Sequence, residues 1–436
     1  MVSSQTQANW LGKSKRLIFA MRQARQAQDT QHVPNSSSRG FQPTYNIQQS
    51  RALHKDDAAM MMAKQQQERT PKRPRPSRRG RRQARRLSTI TWIKHFRQAE
   101  DSHRKIVDKL DAFVPPQEGA CDADPVNILV LGGGGLRGYA HVGMLGGLLE
   151  LNDGIDFLQY FDLTGGTSVG GVISLCLNHV GTFTTEGMQK GEGLFDDIFH
   201  QCFAKRSWKR LLSHASFTNE DTALAPIFRK QFPELPIYNP NSLNAFALSA
   251  AKSKKGAAGA AENPEPFVFR TYDLPREESR QGEQTCFQVC AGSNEVKLWE
   301  AMGATSACPG LVDRIELDIN GEPMRFADGG VIANHPVAVA ITEAFRLWPH
   351  RRIGKVVLLG LDGECPPSVL HAVDVVKQTN PDMEFVALTP PVEVHPLLES
   401  QQVRLKEALN KAKKFVLESK EASALLNRLR SSRQHG

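Results

Sequence analysis

Ser168 lies in the run Gly166-Thr-Ser168-Val-Gly170, with Gly171 next. Gly-x-Ser-x-Gly between a strand and a helix is the pattern of a nucleophile elbow. Small neighbours let the chain turn sharply and leave the hydroxyl accessible. A helix starting at Val169 would aim the positive end of its dipole at the serine oxygen. A glycine-rich turn with a capping serine uses the same residue types, so the strand before and the helix after favour the elbow.

A second cluster, Gly132-Gly133-Gly134-Gly135-Leu136-Arg137-Gly138, also sits between an apolar run and a helical pattern. Successive backbone N–H groups entering a helix attract negative charge, either a phosphate or the oxyanion of a tetrahedral intermediate. The cluster contains Gly-x-Gly-x-x-Gly, a weak dinucleotide signal, and Asp153 and Asp156 lie near where a ribose-binding acid would be. A dinucleotide loop has no use for Arg137 at its centre.

A serine nucleophile needs a base. Of the downstream histidines, His371 and His395 come late enough to complete a Ser–acid–His order, but neither follows a glycine-rich strand end. His335, in Ala-Asn-His-Pro, reads equally as a turn residue. Phe326-Ala-Asp328-Gly329-Gly330 supplies a carboxylate at a strand end, which burial could raise toward neutrality and make an effective base. Taken alone, Asp328 reads as an ordinary Asp-Gly turn.

These groups need a scaffold. Asn127–Leu131 is a short apolar run that reads as a buried parallel strand, followed by a helix over 139–149. Phe157–Leu163 reads as the next strand and Val169–Asn178 as the next helix. Strand, glycine turn and helix, twice over, predict an α/β fold with a parallel sheet. Further strands are expected at 266–272, 324–327 and 355–361. An irregular helical cap is expected over 183–245, a low-complexity surface loop over 251–263, and a long amphipathic helical tail from 398 to about 430. The divisions that follow are a disordered basic arm over 1–90, an amphipathic helix and linker over 91–120, a catalytic domain over 125–365 and a helical extension over 366–436.

The glycine-rich loop, the Gly-x-Ser-x-Gly elbow about 30 residues later and a distal Asp-Gly-Gly, in that order, resemble patatin-like phospholipases. Trp299-Glu-Ala-Met-Gly-Ala-Thr-Ser-Ala-Cys-Pro-Gly310 resembles that family's ATSAAP-type stretch. The resemblance covers about residues 127–362. It implies a three-layer α/β/α sandwich around a mostly parallel sheet, and a Ser168–Asp328 dyad with no catalytic histidine. It also implies an oxyanion hole formed by backbone N–H groups of Gly133, Gly134, Gly135, Leu136, Arg137 and Gly138. Arg137 supports that loop, Gly166 and Gly170 shape the elbow, and Gly329 and Gly330 complete the acid motif. The implied substrates are ester-linked acyl chains of phospholipids or neutral glycerolipids, and no cofactor or metal is called for. Many members begin the loop with Asp where this chain has Gly132, and Cys308 stands where Ala is commoner.

Composition bounds the remainder. Residues 1–98 hold 21 Lys and Arg against four Asp and Glu, a net of +17, so the rest carries −8 of the overall +9. Such an arm suits anionic headgroups, which favour peripheral association with a membrane or lipid-droplet surface. A solubilising tail would have the same composition. No aromatic stacking platform accompanies the basic tract, which weighs against nucleic acid. Seven scattered cysteines without a CxxC pair fit reduced thiols in an intracellular, cytoplasmic setting. Residues 1–28 lack acids, as transit peptides do, so mitochondrial targeting stays open. No apolar run reaches the roughly 18–20 residues that span a bilayer.

Overall fold

The computed structural model describes residues 104–108, 110, 124–180, 183–200, 224–253, 264–275, 290–309, 312, 314–394, 399 and 401–433. The readings of residues 1–90, of the segment 201–223 within the cap and of the loop 254–263 lie outside these. Of the amphipathic helix expected within 91–120, the described part buries Ile106, Val107 and Leu110.

Among the described residues, nine strands form one sheet. They are β1 (Val126–Leu131), β2 (Leu163–Thr167), β3 (Asn244–Ser253), β4 (Glu265–Arg270), β5 (Ala291–Ser293), β6 (Ile315–Ile319), β7 (Glu322–Asp328), β8 (Ile353–Leu359) and β9 (Glu384–Leu388). The main order is β5-β4-β3-β2-β1-β8-β9, with β7 on β3 and β6 on β7. The β1–β2, β1–β8, β2–β3, β8–β9 and β4–β5 pairs are parallel, whereas β3–β4, β3–β7 and β6–β7 are antiparallel.

Alternation along β1 sets the two sides. Leu129 and Leu131 join one apolar core, while Val126, Ile128 and Val130 join the other. On the first side lie α1 (Gly138–Leu151), α2 (Val169–Val180), α3 (Thr185–Ile198), α4 (Leu224–Gln231), α5 (Leu298–Thr305), α8 (Gln402–Glu418) and α9 (Lys420–Arg433). On the second lie α6 (Val337–Leu347), α7 (Pro367–Thr379) and the 104–110 segment. The result is a three-layer α/β/α sandwich around a mostly parallel sheet.

Helix α1 is apolar on nearly every face because it is enclosed by the sheet, α3 and α8. A Cβ on Gly143 would stand 2.1 Å from Leu409 O, and one on Gly147 3.0 Å from Lys413 O. The backbones of α1 and α8 therefore touch, and the tail packs on the core. The boundary expected at residue 365 falls inside the fold. Strand β9 extends the sheet, so 366–436 is not purely helical.

Two strand assignments shift. Phe157–Tyr160 is a short 3-10 turn, begun by Asp156, whose side chain accepts the Leu158 N–H at 2.8 Å; the strand is the next segment, β2. The glycines of β2 look like a loop in sequence, yet they lie within the sheet. A Cβ on Gly165 would stand 1.9 Å from the Phe246 ring. The alanine-rich β3 falls partly in the expected cap and partly in the expected loop, but it is a central strand.

Candidate active site

Strand β3 brings Ser168 and Asp328 together. Strand β2 runs parallel to it and ends with Thr167 opposite Leu248; β7 runs antiparallel and ends with Asp328 opposite Ser249. Residues 246–251 of β3 hold β4 on the other edge. Strands β2 and β7 thus share one edge and meet end to end. Residues 160 positions apart become neighbours, and the Ser168 hydroxyl donates to Asp328 Oδ2 at 2.7 Å.

Ser168 has φ +55°, the left-handed region that costs a non-glycine residue roughly 1–2 kcal/mol. Its surroundings hold it there. The Ser168 N–H donates to Thr305 Oγ1 at 3.0 Å, and that hydroxyl donates to Leu248 O at 2.6 Å. Thr167 Oγ1 donates to Ala333 O at 2.8 Å. A Cβ on Gly170 would come within 2.3 Å of Leu131 O, and one on Gly166 within 2.3 Å of the Gly170 carbonyl carbon. The elbow closes against β1 only because these positions lack side chains.

Asp328 is 6% exposed. Its Oδ1 accepts the Gly330 N–H at 2.7 Å, and a Cβ on Gly329 would meet Leu248 O at 2.2 Å. Burial pushes the carboxyl up to about 6, against the opposing pull of the bonds from Gly330 and Ser168. A carboxylate with that affinity is ionised at neutral pH and still basic enough to receive a proton. The neighbouring Cys308 thiol is pushed up, first by burial and then by the Asp328 charge.

The glycine loop lies beside the elbow, and its amides divide into two groups. Gly133 N–H donates to Asn334 O at 2.8 Å, Arg137 N–H to Gly134 O at 3.1 Å, and the Gly138 N–H turns back to Gly135 and Leu136 carbonyls. Those three are committed within the protein, which corrects the expectation that the whole run 133–138 offers donors. The N–H groups of Gly134, Gly135 and Leu136 donate to no acceptor among the described residues. Gly135 also has φ +55°, which glycine adopts without the cost borne by Ser168. Arg137 braces the loop from outside, donating to Leu361 O at 2.8 Å and Asp362 Oδ1 at 2.9 Å.

The remaining candidates lie elsewhere. His335 is buried against Gly132 and faces Asp362, while His371 is exposed on α7. Asp153 pairs with Arg430, and Asp156 accepts the N–H groups of Leu158 and Phe183, so both acids of the dinucleotide reading are engaged. Thr305 lies in the 299–310 stretch, where nothing in the sequence marks it further, and no sequence pattern marks Asn334, which donates to Gly133 O at 3.2 Å. Among the described residues no cluster of His, Cys, Asp and Glu is placed to hold a metal ion, and no helix is long and apolar enough to cross a membrane.

The sequence profile of the patatin-like phospholipases matches residues 129–341, the segment that contains the glycine loop, the elbow and the acid. The chain carries a patatin-like phospholipase domain over those residues. It is 26% identical over 292 residues to phospholipase A I of Arabidopsis thaliana, covering 56% of this chain and 21% of that protein. It is 29% identical over 255 residues to calcium-independent phospholipase A2-gamma of Oryctolagus cuniculus, covering 58% and 29%. The chain thus spans less than a third of the length of either relative. Human GIVD cytosolic phospholipase A2 aligns at a TM-score of 0.39 with 11% identity, over 79% of this chain and 65% of that one. The backbones differ too much at that score for the likeness to bear on the site.

Proposed function

We propose that this protein is a lipid acyl hydrolase that cleaves ester-linked fatty acyl chains of phospholipids or neutral glycerolipids through Ser168 and Asp328. The observation that carries the reading is the 2.7 Å bond from Ser168 Oγ to Asp328 Oδ2, made to a carboxyl that burial holds near neutrality. Ser168 Oγ attacks the ester carbonyl as its proton passes to Asp328. The amides of Gly134, Gly135 and Leu136 receive the oxyanion, a class of interaction worth roughly 3–4 kcal/mol per donor. Collapse of the intermediate expels the alcohol, which takes the proton from Asp328, and leaves an acyl ester on Ser168. Water then attacks that ester, giving up a proton to Asp328, and the fatty acid leaves as the Ser168 oxygen recovers its proton. An alcohol in the water's place yields acyl transfer instead.

The basic arm supports peripheral association with an anionic membrane or lipid-droplet surface, where such substrates reside. The catalytic unit runs from about 125 through the C-terminal helices, because β8, β9, α7 and α8 complete the sheet and its layers.

The test uses the full chain with a short-chain nitrophenyl ester and with phospholipid vesicles. Wild type is expected to hydrolyse both, and a fluorophosphonate probe is expected to label it at Ser168. Ser168→Ala should lose labelling and turnover, and Asp328→Ala should lose turnover. Wild-type turnover in both variants rules the dyad out.

A further inference from the structure

A group of side chains at the base of the glycine loop takes no part in the acyl-transfer steps. Gly132 N–H donates to Leu359 O at 3.0 Å, and His141 Nε2 lies 3.1 Å from the same carbonyl. A carbonyl only accepts, so the fully buried His141 carries its proton on Nε2. On the other side of Gly132 stands His335, from the turn that follows Asp328. A Cβ on Gly132 would lie 2.7 Å from His335 Cδ2 and 3.0 Å from His335 Nε2. The imidazole therefore fills the volume that a side chain at position 132 would need.

The ring is held from beyond. His335 Nε2 faces Asp362 Oδ2 at 3.4 Å without forming an aligned hydrogen bond, and Asp362 Oδ1 accepts from Arg137 Nη1 at 2.9 Å. Arg137 belongs to the glycine loop itself, so the contacts form a ring from loop to Arg137, to Asp362, to His335 and back to Gly132. Asn334 makes two bonds to Gly133: its backbone O accepts the Gly133 N–H, and its side-chain Nδ2 donates to Gly133 O. Burial holds the His335 imidazole below its ordinary affinity; Asp362 counters this in part and Arg137 adds to it. The ring is thus neutral at neutral pH.

Glycines have no side chains to fix their peptide planes, so neighbouring groups must do so. The plane leading out of Gly133 carries the Gly134 N–H, and the amides of Gly135 and Leu136 follow it along the chain. We propose that His335 is a positioning residue whose imidazole, backed by Asp362 and Arg137, takes the place of the side chain absent at Gly132 and fixes the aim of the oxyanion donors. This rests on the reading of those three amides as the oxyanion hole.

His335→Ala removes the filling and the contact with Asp362. His335→Gln restores an N–H near the position of Nε2. In the full chain, His335→Ala is expected to lower kcat on a short-chain nitrophenyl ester about 10- to 100-fold, as misplacement of an oxyanion donor does, with KM within about twofold. His335→Gln should regain a large part of that loss. Gly132→Ala should also lower kcat, and should cost nothing further when combined with His335→Ala, because the clash is then gone. Hydrogen exchange of the 129–139 peptide should speed up in His335→Ala. If that variant does not fold, Asp362→Asn is expected to give the same kcat loss and faster exchange in a milder degree. A change confined to thermal stability or to KM, or unchanged exchange over 129–139, overturns the proposal. Absence of hydrolysis by wild type sinks the catalytic reading instead, and exchange still tests whether His335 fixes the loop.

Discussion

Replacing Asp328 with Asn removes a charge that the fold is expected to tolerate at a cost. The carboxyl is raised from 3.8 to about 6 in the folded state by burial. That is a little over two pH units at about 1.4 kcal/mol each, or about 3 kcal/mol. A group whose folded-state value is raised contributes its full stability below its unfolded value, and loses it as pH rises through the folded value. For Asp328 the window runs from about pH 4 to just above about pH 6. Asp328→Asn does not titrate, keeps an oxygen for the Gly330 N–H, and leaves Ser168 Oγ a partner once its hydroxyl turns. Urea unfolding of wild type and Asp328→Asn, repeated from about pH 4.5 to pH 8, should show the variant gaining about 2 kcal/mol over wild type across that range, the rest of the window lying below about pH 4.5. The same variant should lose hydrolysis by roughly 10²- to 10⁴-fold, the usual worth of a general base. In wild type, kcat/KM should fall tenfold per unit below about pH 6. A stability difference that stays flat with pH would refute the buried, raised carboxyl, and with it the case for Asp328 as base.

Thr305→Val leaves the Ser168 N–H buried without its acceptor, so unfolding free energy should drop by about 1–3 kcal/mol and kcat should fall, whereas Thr305→Ser should retain both; equal behaviour of the two variants would count against the Thr305 bridge. Ser168→Gly and Ser168→Ala should both be inactive, but the glycine variant should be more stable by about 1 kcal/mol because φ at 168 is +55°, and urea midpoints that rank them the other way contradict the strain. Gly143→Ala places a methyl 2.1 Å from Leu409 O, so it should lower the unfolding free energy by about 1–3 kcal/mol or more and speed hydrogen exchange across Gln402–Glu418; a neutral result would mean that α8 does not rest on α1.

Sequence carried the local chemistry better than the long-range geometry. The elbow, the glycine loop and the acid motif each sit within a few consecutive residues, and residue type alone limits what such backbones can do. Strand β1 and helices α1 and α2 were legible for the same reason, as apolar runs with clear periods. Strands β2 and β3 were harder because close packing selects glycine and alanine, so Gly165, Gly166 and Ala247 lack the branched apolar signature of a strand. Phe157 and Tyr160 have that signature, but they fold as a capped turn that buries both rings. Which loop amides are free depends on Asn334, about 200 residues away, and no local pattern records that contact.

The same reasoning explains why Asp328 could not be assigned from its own surroundings. An Asp-Gly-Gly run is a turn anywhere, and it becomes part of a site only through its partner edge. Strand β3 is ten residues long, while β2 spends only five of them. The free remainder of that edge accepts β7, which stops where β2 stops. The serine is therefore on a strained turn just beyond β2 and the acid on the last paired residue of β7, each fixed by the same strand. Neither group can relax away from the other without breaking backbone bonds to β3. A 2.7 Å contact between a hydroxyl and a buried carboxyl is thus built into the sheet, and the glycine loop has only to meet it from the side of β1.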